Sequence, residues 1–213
     1  GTLVPSPQVC YPNKRPLAME RREQILTIAG HLFSQRGYHA TSMRELAKHL
    51  NLQGGSLYAH ITSKEELLLE VVRQAAERFL KVLEGLKGDP VAKLKGLVRG
   101  HLEVIAQELP RATVFFHEWK HLSPPLLEEA KALRRRYEEG VQAVIQEGME
   151  QGVFRVENLR LATLFVLSAL NWTYQWYRPE GPLSLEELSE AYATLILRAL
   201  GVEANEEKGG EDG

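Results

Sequence analysis

Residues 41–66 read TSMRELAKHLNLQGGSLYAHITSKEE, and this stretch decides the fold. Ser42, followed three residues later by Glu45, forms the capping-box pattern that starts a helix. The next apolar residues recur at helical spacing, at Leu46, Ala47 and Leu50. Asn51 suits a turn at the end of this helix, so the pattern predicts a short helix over 43–50.

A second helix and the start of a third follow at once. Gly54-Gly55 opens the second helix, predicted over 54–61. Its inward positions are expected at Leu57, Tyr58 and Ile61. Thr62 or Ser63 can cap the third helix, with Glu65 or Glu66 at the matching third position. Two short helices joined by a tight turn are typical of a helix-turn-helix, which lays its second helix in the DNA major groove.

The residue pattern around this motif resembles the DNA-binding head of the TetR family of bacterial repressors. The matching positions are Ile25, Ala29, Leu32-Phe33, Gly37-Tyr38, Thr41, Ala47, Ser56-Leu57-Tyr58, His60 and Ser63-Lys64-Glu65-Glu66-Leu67. The resemblance covers about residues 20–70. It departs at Gly54-Gly55, where the family often has a polar or basic residue before the second glycine, and this leaves the operator sequence open.

The resemblance implies three groups of DNA contacts. Thr41, Ser42 and Arg44 lie where the first motif helix approaches the DNA backbone. Gln53, Gly54, Gly55 and Ser56 face the groove, where polar side chains read base edges and glycine admits a close backbone approach. Tyr58, His60 and Lys64 match positions that touch phosphates, and Lys64 begins a helix whose free N–H groups favour an anion.

Composition fits a globular protein with a mildly basic head. The chain has 213 residues, 44% apolar and 25% charged, with a net charge of −2. Residues 14–66 nevertheless carry eight lysines and arginines against five acidic residues, which suits a small DNA-binding module. Cys10 is the only cysteine, and we see neither a signal-peptide layout nor an apolar run long enough to span a membrane. We therefore expect a cytoplasmic protein without a membrane partner.

The whole chain after residue 19 is predicted to be helical. We expect an all-α protein with a disordered arm over 1–18, a three-helix head over 19–66, a six-helix body over 67–202 and a disordered tail over 203–213. The predicted helices are 20–36, 43–50, 54–61, 63–86, 90–108, 111–121, 124–151, 157–177 and 184–200. No phosphate-binding loop, nucleophile elbow or cysteine cluster is present, so we expect no cofactor.

The last two helices indicate a homodimer. Helix 157–177 is apolar nearly all round, and such a helix needs a partner on every side. Helix 184–200 carries a seam that suits packing on another helix, formed by Leu185, Leu188, Tyr192, Leu195 and Ala199. Burial within one subunit is the alternative. A two-fold dimer would place two heads on a palindromic operator.

Two aromatic segments of the body are candidates for a small-molecule effector site. All three tryptophans lie in residues 112–121 and 171–178. The candidate ligand contacts are Phe115, Phe116, Trp119, Asn171, Trp172, Trp176 and Arg178. Such aromatics can line a pocket for a flat or fatty ligand, although packing in the core and dimer interface is the plainer interpretation of each.

The second segment resembles a TetR branch that senses acyl-CoA thioesters. The resemblance rests on Asn171-Trp172, Trp176-Tyr177-Arg178-Pro179, Gly181 and Leu185-Glu187-Leu188. It implies a regulator of lipid or aromatic-acid breakdown, and candidates for a cationic mouth are Lys93, Lys95, Arg99 and Arg134-Arg135-Arg136. The alternative is a regulator of drug efflux that senses lipophilic cations, with Glu118 or Glu103 as the counter-charge.

One motif points to a different class of protein. His117-Glu118-Trp119-Lys120-His121 is a literal H-E-x-x-H, which on a helix can bind zinc and use the glutamate as a base. A zinc metallopeptidase is therefore a distant alternative. Because Pro110 and Pro124 cut this helix short and the head points to DNA, we expect no metal site and no enzymatic activity.

Overall fold

The computed structural model describes residues 17–203, and every regular element in that range is a helix. The helices are α1 (Leu17–Arg36), α2 (Met43–His49), α3 (Gly54–Leu57), α4 (Lys64–Glu84), α5 (Pro90–Gln107), α6 (Leu109–Thr113), α7 (Leu126–Glu150), α8 (Leu159–Asn171), α9 (Thr173–Trp176) and α10 (Leu185–Ala199). The predicted all-α class is confirmed. Residues 1–16, which include Cys10, and residues 204–213 lie outside the described range, and with them most of the predicted arm and tail.

Local capping sets the helix boundaries of the head, formed by α1–α3. The Ser42 hydroxyl accepts a hydrogen bond from the Glu45 N–H at 3.1 Å, and Ser63 accepts one from the Glu66 N–H at the same distance. Asn51 takes a positive φ of 53°, which asparagine tolerates better than most residues, and so turns the chain after α2. The structure therefore confirms the two predicted helix starts and the predicted turn.

Three predicted helices differ from the structure. α3 ends at Leu57 rather than residue 61, since two glycines in a four-residue helix add little helical stability. The predicted helix 111–121 becomes α6, then a π-helical turn at Val114–Glu118 and a 3₁₀ turn at Trp119–His121. The predicted helix 157–177 is interrupted between α8 and α9, where the Thr173 hydroxyl donates to the Leu170 carbonyl at 2.7 Å.

The long helix α4 belongs to both head and body. It begins beside the head at Lys64, packs against α1, and continues between α5 and α7 in the body. The predicted boundary at residue 66 therefore falls within its first turn. Because one helix crosses this boundary, a tilt of α4 in the body moves the head that precedes it.

The centre of the body is an aromatic cluster around Phe79 of α4. Its ring centroid lies 5.2 Å from that of Phe115 and 5.3 Å from that of Phe116. On the other side, the ring of His101 lies 4.9 Å and that of Tyr137 5.4 Å away. The His101 Nδ1 and the Tyr137 hydroxyl are 2.6 Å apart, and both side chains are buried. A single polar pair is thus enclosed by aromatic rings.

Helix α8 has one buried face and one apolar exposed face. Val166, Leu167 and Leu170 pack inward. On the outside, Phe165 remains 60% and Trp172 61% exposed. The other large exposed apolar residues along α8–α10 are Leu161, Leu164, Trp176 and Leu195. An apolar surface of this extent on a single chain marks a contact surface.

Within residues 17–203, no helix combines the length and the apolar character that crossing a membrane requires.

Candidate nucleic-acid interface and ligand cleft

The turn and second helix of the motif present polar groups to the outside. Gln53, Gly55, Ser56 and Tyr58 are all exposed, and Tyr58 is 55% exposed. Leu57 and Ile61 are buried as predicted, but the inward position predicted for Tyr58 is wrong. Tyr58 is the C-cap of α3, and its side chain lies on the outer side, where its hydroxyl can donate to a phosphate.

Thr41 does not have a DNA-contacting side chain in this structure. It is 1% exposed, and its hydroxyl donates to the Gly37 carbonyl at 2.9 Å. Its backbone N–H donates to the Tyr38 carbonyl at 3.2 Å. The Thr41 side chain instead ties the end of α1 to the start of α2.

A basic groove along α2 extends the predicted surface. It has a volume of about 580 Å³ and is lined by Arg36, Ser42, Arg44, Glu45, Lys48 and His49. Ser42 and Arg44 were predicted DNA contacts, and both are exposed. Lys48 was missed, although it stands four residues after Arg44 and therefore on the same face of α2. Arg36 forms an ion pair with Glu45, so it reaches the groove with part of its charge compensated.

The two remaining predicted phosphate contacts lie at the edge of the head. Lys64 stands in the first turn of α4 with its Nζ 4.1 Å from the centroid of the Tyr38 ring, and burial lowers the pKa of its ammonium group. His60 is half-buried, and its carbonyl accepts a hydrogen bond from Arg22 at 3.2 Å. Gly54 opens α3, as predicted.

The predicted effector residues lie in several separate places. Phe115 and Phe116 belong to the aromatic centre, whereas Trp119 lies under Arg134, whose guanidinium carbon is 4.7 Å from the ring centroid. Trp172 and Trp176 stand on the exposed apolar surface. Asn171 is half-buried at the end of α8, and its Oδ1 is buried without a hydrogen-bond partner. The structure therefore does not bring the seven residues into one pocket.

The seventh residue, Arg178, lines a cleft between head and body. The cleft has a volume of about 480 Å³ and is bounded by α1, α6, the π-helical turn and α9. Its lining residues are His31, Ser34, Gln35, Leu109, Pro110, Thr113, His117, Tyr174, Gln175 and Arg178. Within the part of the chain that the structure describes, this lining includes an arginine and two histidines but no carboxylate, so the cleft suits an anionic ligand.

Three of the six residues predicted for the cationic mouth contact other groups within the body. Lys93 pairs with Glu147 at 2.8 Å, and Arg99 lies 3.6–3.7 Å from the carboxylates of Glu186 and Glu103. Arg134 donates to the Phe115 carbonyl, and burial lowers the pKa of its guanidinium group. Lys93 and Arg134 therefore join body segments, whereas Arg99 makes only long contacts and remains partly exposed.

The H-E-x-x-H segment does not have the geometry of a zinc site. His117 lines the cleft, whereas His121 packs against His39 with a centroid distance of 4.4 Å. Glu118 is buried and accepts a hydrogen bond from the Tyr38 N–H at 3.0 Å. A π-helical turn followed by a 3₁₀ turn places the two histidines in different surroundings. Residues 17–203 contain no cluster of three His, Cys, Asp or Glu side chains suited to a metal ion.

Known families match both parts of the chain. Residues 25–71 match the family described as "Bacterial regulatory proteins, tetR family", and residues 87–200 match "Tetracyclin repressor-like, C-terminal domain". The HTH-type transcriptional repressor KstR2 of Mycolicibacterium smegmatis is 30% identical over 83% of this chain and 89% of its own length. The fatty acid metabolism regulator protein of Bacillus subtilis is 22% identical over 88% of this chain and 97% of its own.

Solved structures show the same architecture. The TetR family regulator PfmR of Thermus thermophilus is 40% identical, with a TM-score of 0.75, over 82% of this chain and 97% of its own. AibR, solved in complex with isovaleryl coenzyme A and operator DNA, is 24% identical with a TM-score of 0.76, over 83% and 98% respectively. At 24% identity, the likeness to AibR shows a shared fold alone.

Proposed function

Because the chain belongs to the TetR family of bacterial transcriptional regulators, which are not enzymes, we propose that it is a homodimeric repressor of a palindromic operator that an acyl-CoA thioester releases from DNA. Gln53, Ser56 and Tyr58 contact the groove and its rim, while Arg44 neutralises phosphate. The observation that carries this proposal is the exposure of these polar side chains on one surface, next to the basic groove along α2.

The dimer forms through the exposed apolar surface of α8–α10. Phe165 and Trp172 lose their contact with water when a second copy covers them, which stabilises the dimer. A symmetric pair of such surfaces gives a two-fold axis, and the two heads then read two half-sites. Trp172 and Trp176 therefore act in assembly rather than in ligand binding.

The effector occupies the cleft between head and body. The phosphates of coenzyme A meet Arg178, whose Nη1 already donates to the Tyr177 carbonyl at 2.8 Å and is thereby held in place. Tyr174 lines the cleft and stacks on Phe116 at 5.4 Å, so the acyl chain packs against the Tyr174 ring. The relatives that regulate fatty acid metabolism and that bind isovaleryl coenzyme A support this ligand class.

The structure offers less to a lipophilic cation. Glu118, the predicted counter-charge, is buried against Tyr38, and Glu103 lies near Arg99. Among residues 17–203, no carboxylate lines the cleft. A regulator of drug efflux would need an accessible negative group at its ligand site, and the thioester is the better fit.

The test has two steps. First, the purified protein selects duplexes from a random DNA pool, and we expect a palindromic consensus. Second, isovaleryl-CoA, palmitoyl-CoA, a benzoyl-CoA, free CoA and a cationic dye are titrated against the labelled operator complex. A thioester should weaken binding about tenfold or more, whereas free CoA leaves it unchanged. Release by the dye alone would reject the thioester, and selection of no consensus would reject the repressor.

A further inference from the structure

Glu118 is a buried carboxylate that joins the body to the head. It is 5% exposed, and its Oε2 accepts the hydrogen bond from the Tyr38 N–H at 3.0 Å across 80 residues of sequence. The same oxygen lies 3.2 Å from the His121 Nε2. Its Oε1 lies near Gly37, where it would be 3.9 Å from a Cβ atom if that residue had one. A carboxylate buried at this cost is held by specific donors.

On the head side, the contact reaches the helix-turn-helix through two residues. Tyr38 donates its N–H to Glu118 and accepts the Thr41 N–H on its carbonyl at 3.2 Å. The Thr41 hydroxyl is bonded to the Gly37 carbonyl. Thr41 directly precedes Ser42, the residue that caps α2. A displacement of Glu118 therefore acts on the start of the first DNA-binding helix.

On the body side, Glu118 ends the π-helical turn at Val114–Glu118. Its neighbour His117 lines the cleft, and Phe116 of the same turn stacks on Tyr174, another lining residue. π-helical turns carry an extra residue per turn, are seldom retained without a use and occur often at functional sites. A ligand in the cleft touches the turn that carries Glu118.

From these contacts we infer that Glu118 is the positioning residue that couples the effector cleft to the DNA-binding head. A ligand that displaces His117 or Phe116 rotates the turn, and this withdraws Glu118 from the Tyr38 N–H. The end of α1 and the start of α2 then lose their anchor to the body, so the two heads of a dimer no longer keep one spacing. This inference rests on the proposed function, since it concerns how the same cleft regulates DNA binding.

Reciprocity allows a test that uses operator DNA as the probe, so the effector need not be identified first. If two sites are coupled, binding at one changes the other by the same free energy. Hydrogen exchange is therefore measured in peptides covering 114–121, in the free dimer and with the selected operator duplex. In the wild type we expect the exchange rate of this segment to change about tenfold on DNA binding.

Three variants separate coupling from simple loss of structure. Glu118→Ala should reduce the operator-induced change to less than about twofold, since no acceptor remains for the Tyr38 N–H. Glu118→Gln keeps an amide oxygen at this position and should restore most of the response. Glu103→Ala removes a body carboxylate that does not contact the head, and it should behave as the wild type does. Thermal melts of each variant report stability separately.

The possible results of these measurements distinguish a failure of the inference from a failure of the proposed function. A full response in Glu118→Ala would overturn the inference, and so would an equal loss in Glu118→Gln and Glu118→Ala, because the bond to Tyr38 needs only an acceptor. A wild type that binds its operator without any change in 114–121 also overturns it. A protein that binds no duplex specifically counts against the proposed function instead.

Discussion

The head and the body of this protein place their functional residues in different ways. In the head, the side chains proposed to contact DNA lie within residues 42–58, and one turn between two short helices brings them to one surface. In the body, the cleft is assembled from α1, α6, the π-helical turn and α9, which lie far apart in the sequence. A local motif can therefore be recognised from its spacing, whereas the cleft exists only after the helices have packed.

The largest expected effect comes from a substitution in the body that weakens DNA binding by the head. Phe165→Asp places a charge on the exposed apolar surface and should prevent dimer formation, because an unpaired charge is costly to bury. Operator affinity should then fall about 100-fold or more, since each head binds one half-site alone. Light scattering gives the mass and fluorescence anisotropy the affinity.

The matched control for this variant is Ala132→Asp, which adds the same charge at an exposed position of α7. It should leave both the mass and the affinity unchanged. If Phe165→Asp remains a dimer with full affinity, the α8–α10 surface is not the interface.

A second prediction concerns the buried pair at the centre of the body. Burial lowers the pKa of His101 to about 3 and raises the pKa of Tyr137, so His101 stays neutral in the folded protein well below pH 6.5. The unfolded chain takes up this proton near pH 6.5, so the stability that the neutral histidine contributes is lost as the pH falls from there toward 3. The loss by pH 5 is about 2 kcal/mol.

His101→Asn keeps a hydrogen-bonding group near Tyr137 and removes the titration. Urea unfolding at pH 7 and pH 5 should show a difference in free energy of unfolding that is smaller by about 2 kcal/mol in the variant than in the wild type. His31→Asn, at an exposed position, serves as the control and should keep the wild-type difference. An unchanged difference in His101→Asn would mean that His101 titrates normally.

The third prediction sharpens the assignment of the basic groove. Arg44→Ala removes a charge beside phosphate and should weaken operator binding about tenfold. The slope of log K against log salt concentration should become shallower by about two for a dimer, one for each head. Arg135→Ala, at an exposed position on α7, is the control, and an equal loss there would show that net charge alone matters.

The smallest expected effect tests a single hydroxyl. Tyr58→Phe removes one hydrogen bond to phosphate from each head of the dimer and keeps the ring, so operator affinity should fall about fivefold. Thermal stability should stay constant, because the Tyr58 side chain is exposed. Tyr192→Phe on α10 should leave operator binding unchanged. A loss of stability in Tyr58→Phe would assign this residue to packing.

Sequence patterns predicted the helix-turn-helix well and the body only in outline. The caps at Ser42 and Ser63 and the buried positions Leu57 and Ile61 follow from spacing and are confirmed. Tyr58 was expected to point inward and is exposed, whereas Thr41, a predicted DNA contact, is buried and bonds back to Gly37. Exposure at a helix end depends on where the helix stops, which propensity determines poorly.

The aromatic residues of the body show why its site could not be predicted in the same way. Their density indicated a ligand site, but Phe115 lies in the core, Trp119 lies under Arg134 and Trp172 faces outward. The sequence carries no signal for the π-helical turn, and this turn is what directs Glu118 to the head. Tyr174 and His117 were consequently missed as lining residues of the cleft.

By itself, the sequence determined the all-helical class, the helix-turn-helix and the apolar surface of α8, since periodicity and capping act over a few residues. Only the tertiary structure decided which side chains meet at the cleft and how Glu118 reaches Tyr38. Those contacts depend on the packing angles of helices far apart in the chain. A difference of one residue per turn, as between α6 and the π-helical turn, redirects every side chain that follows it.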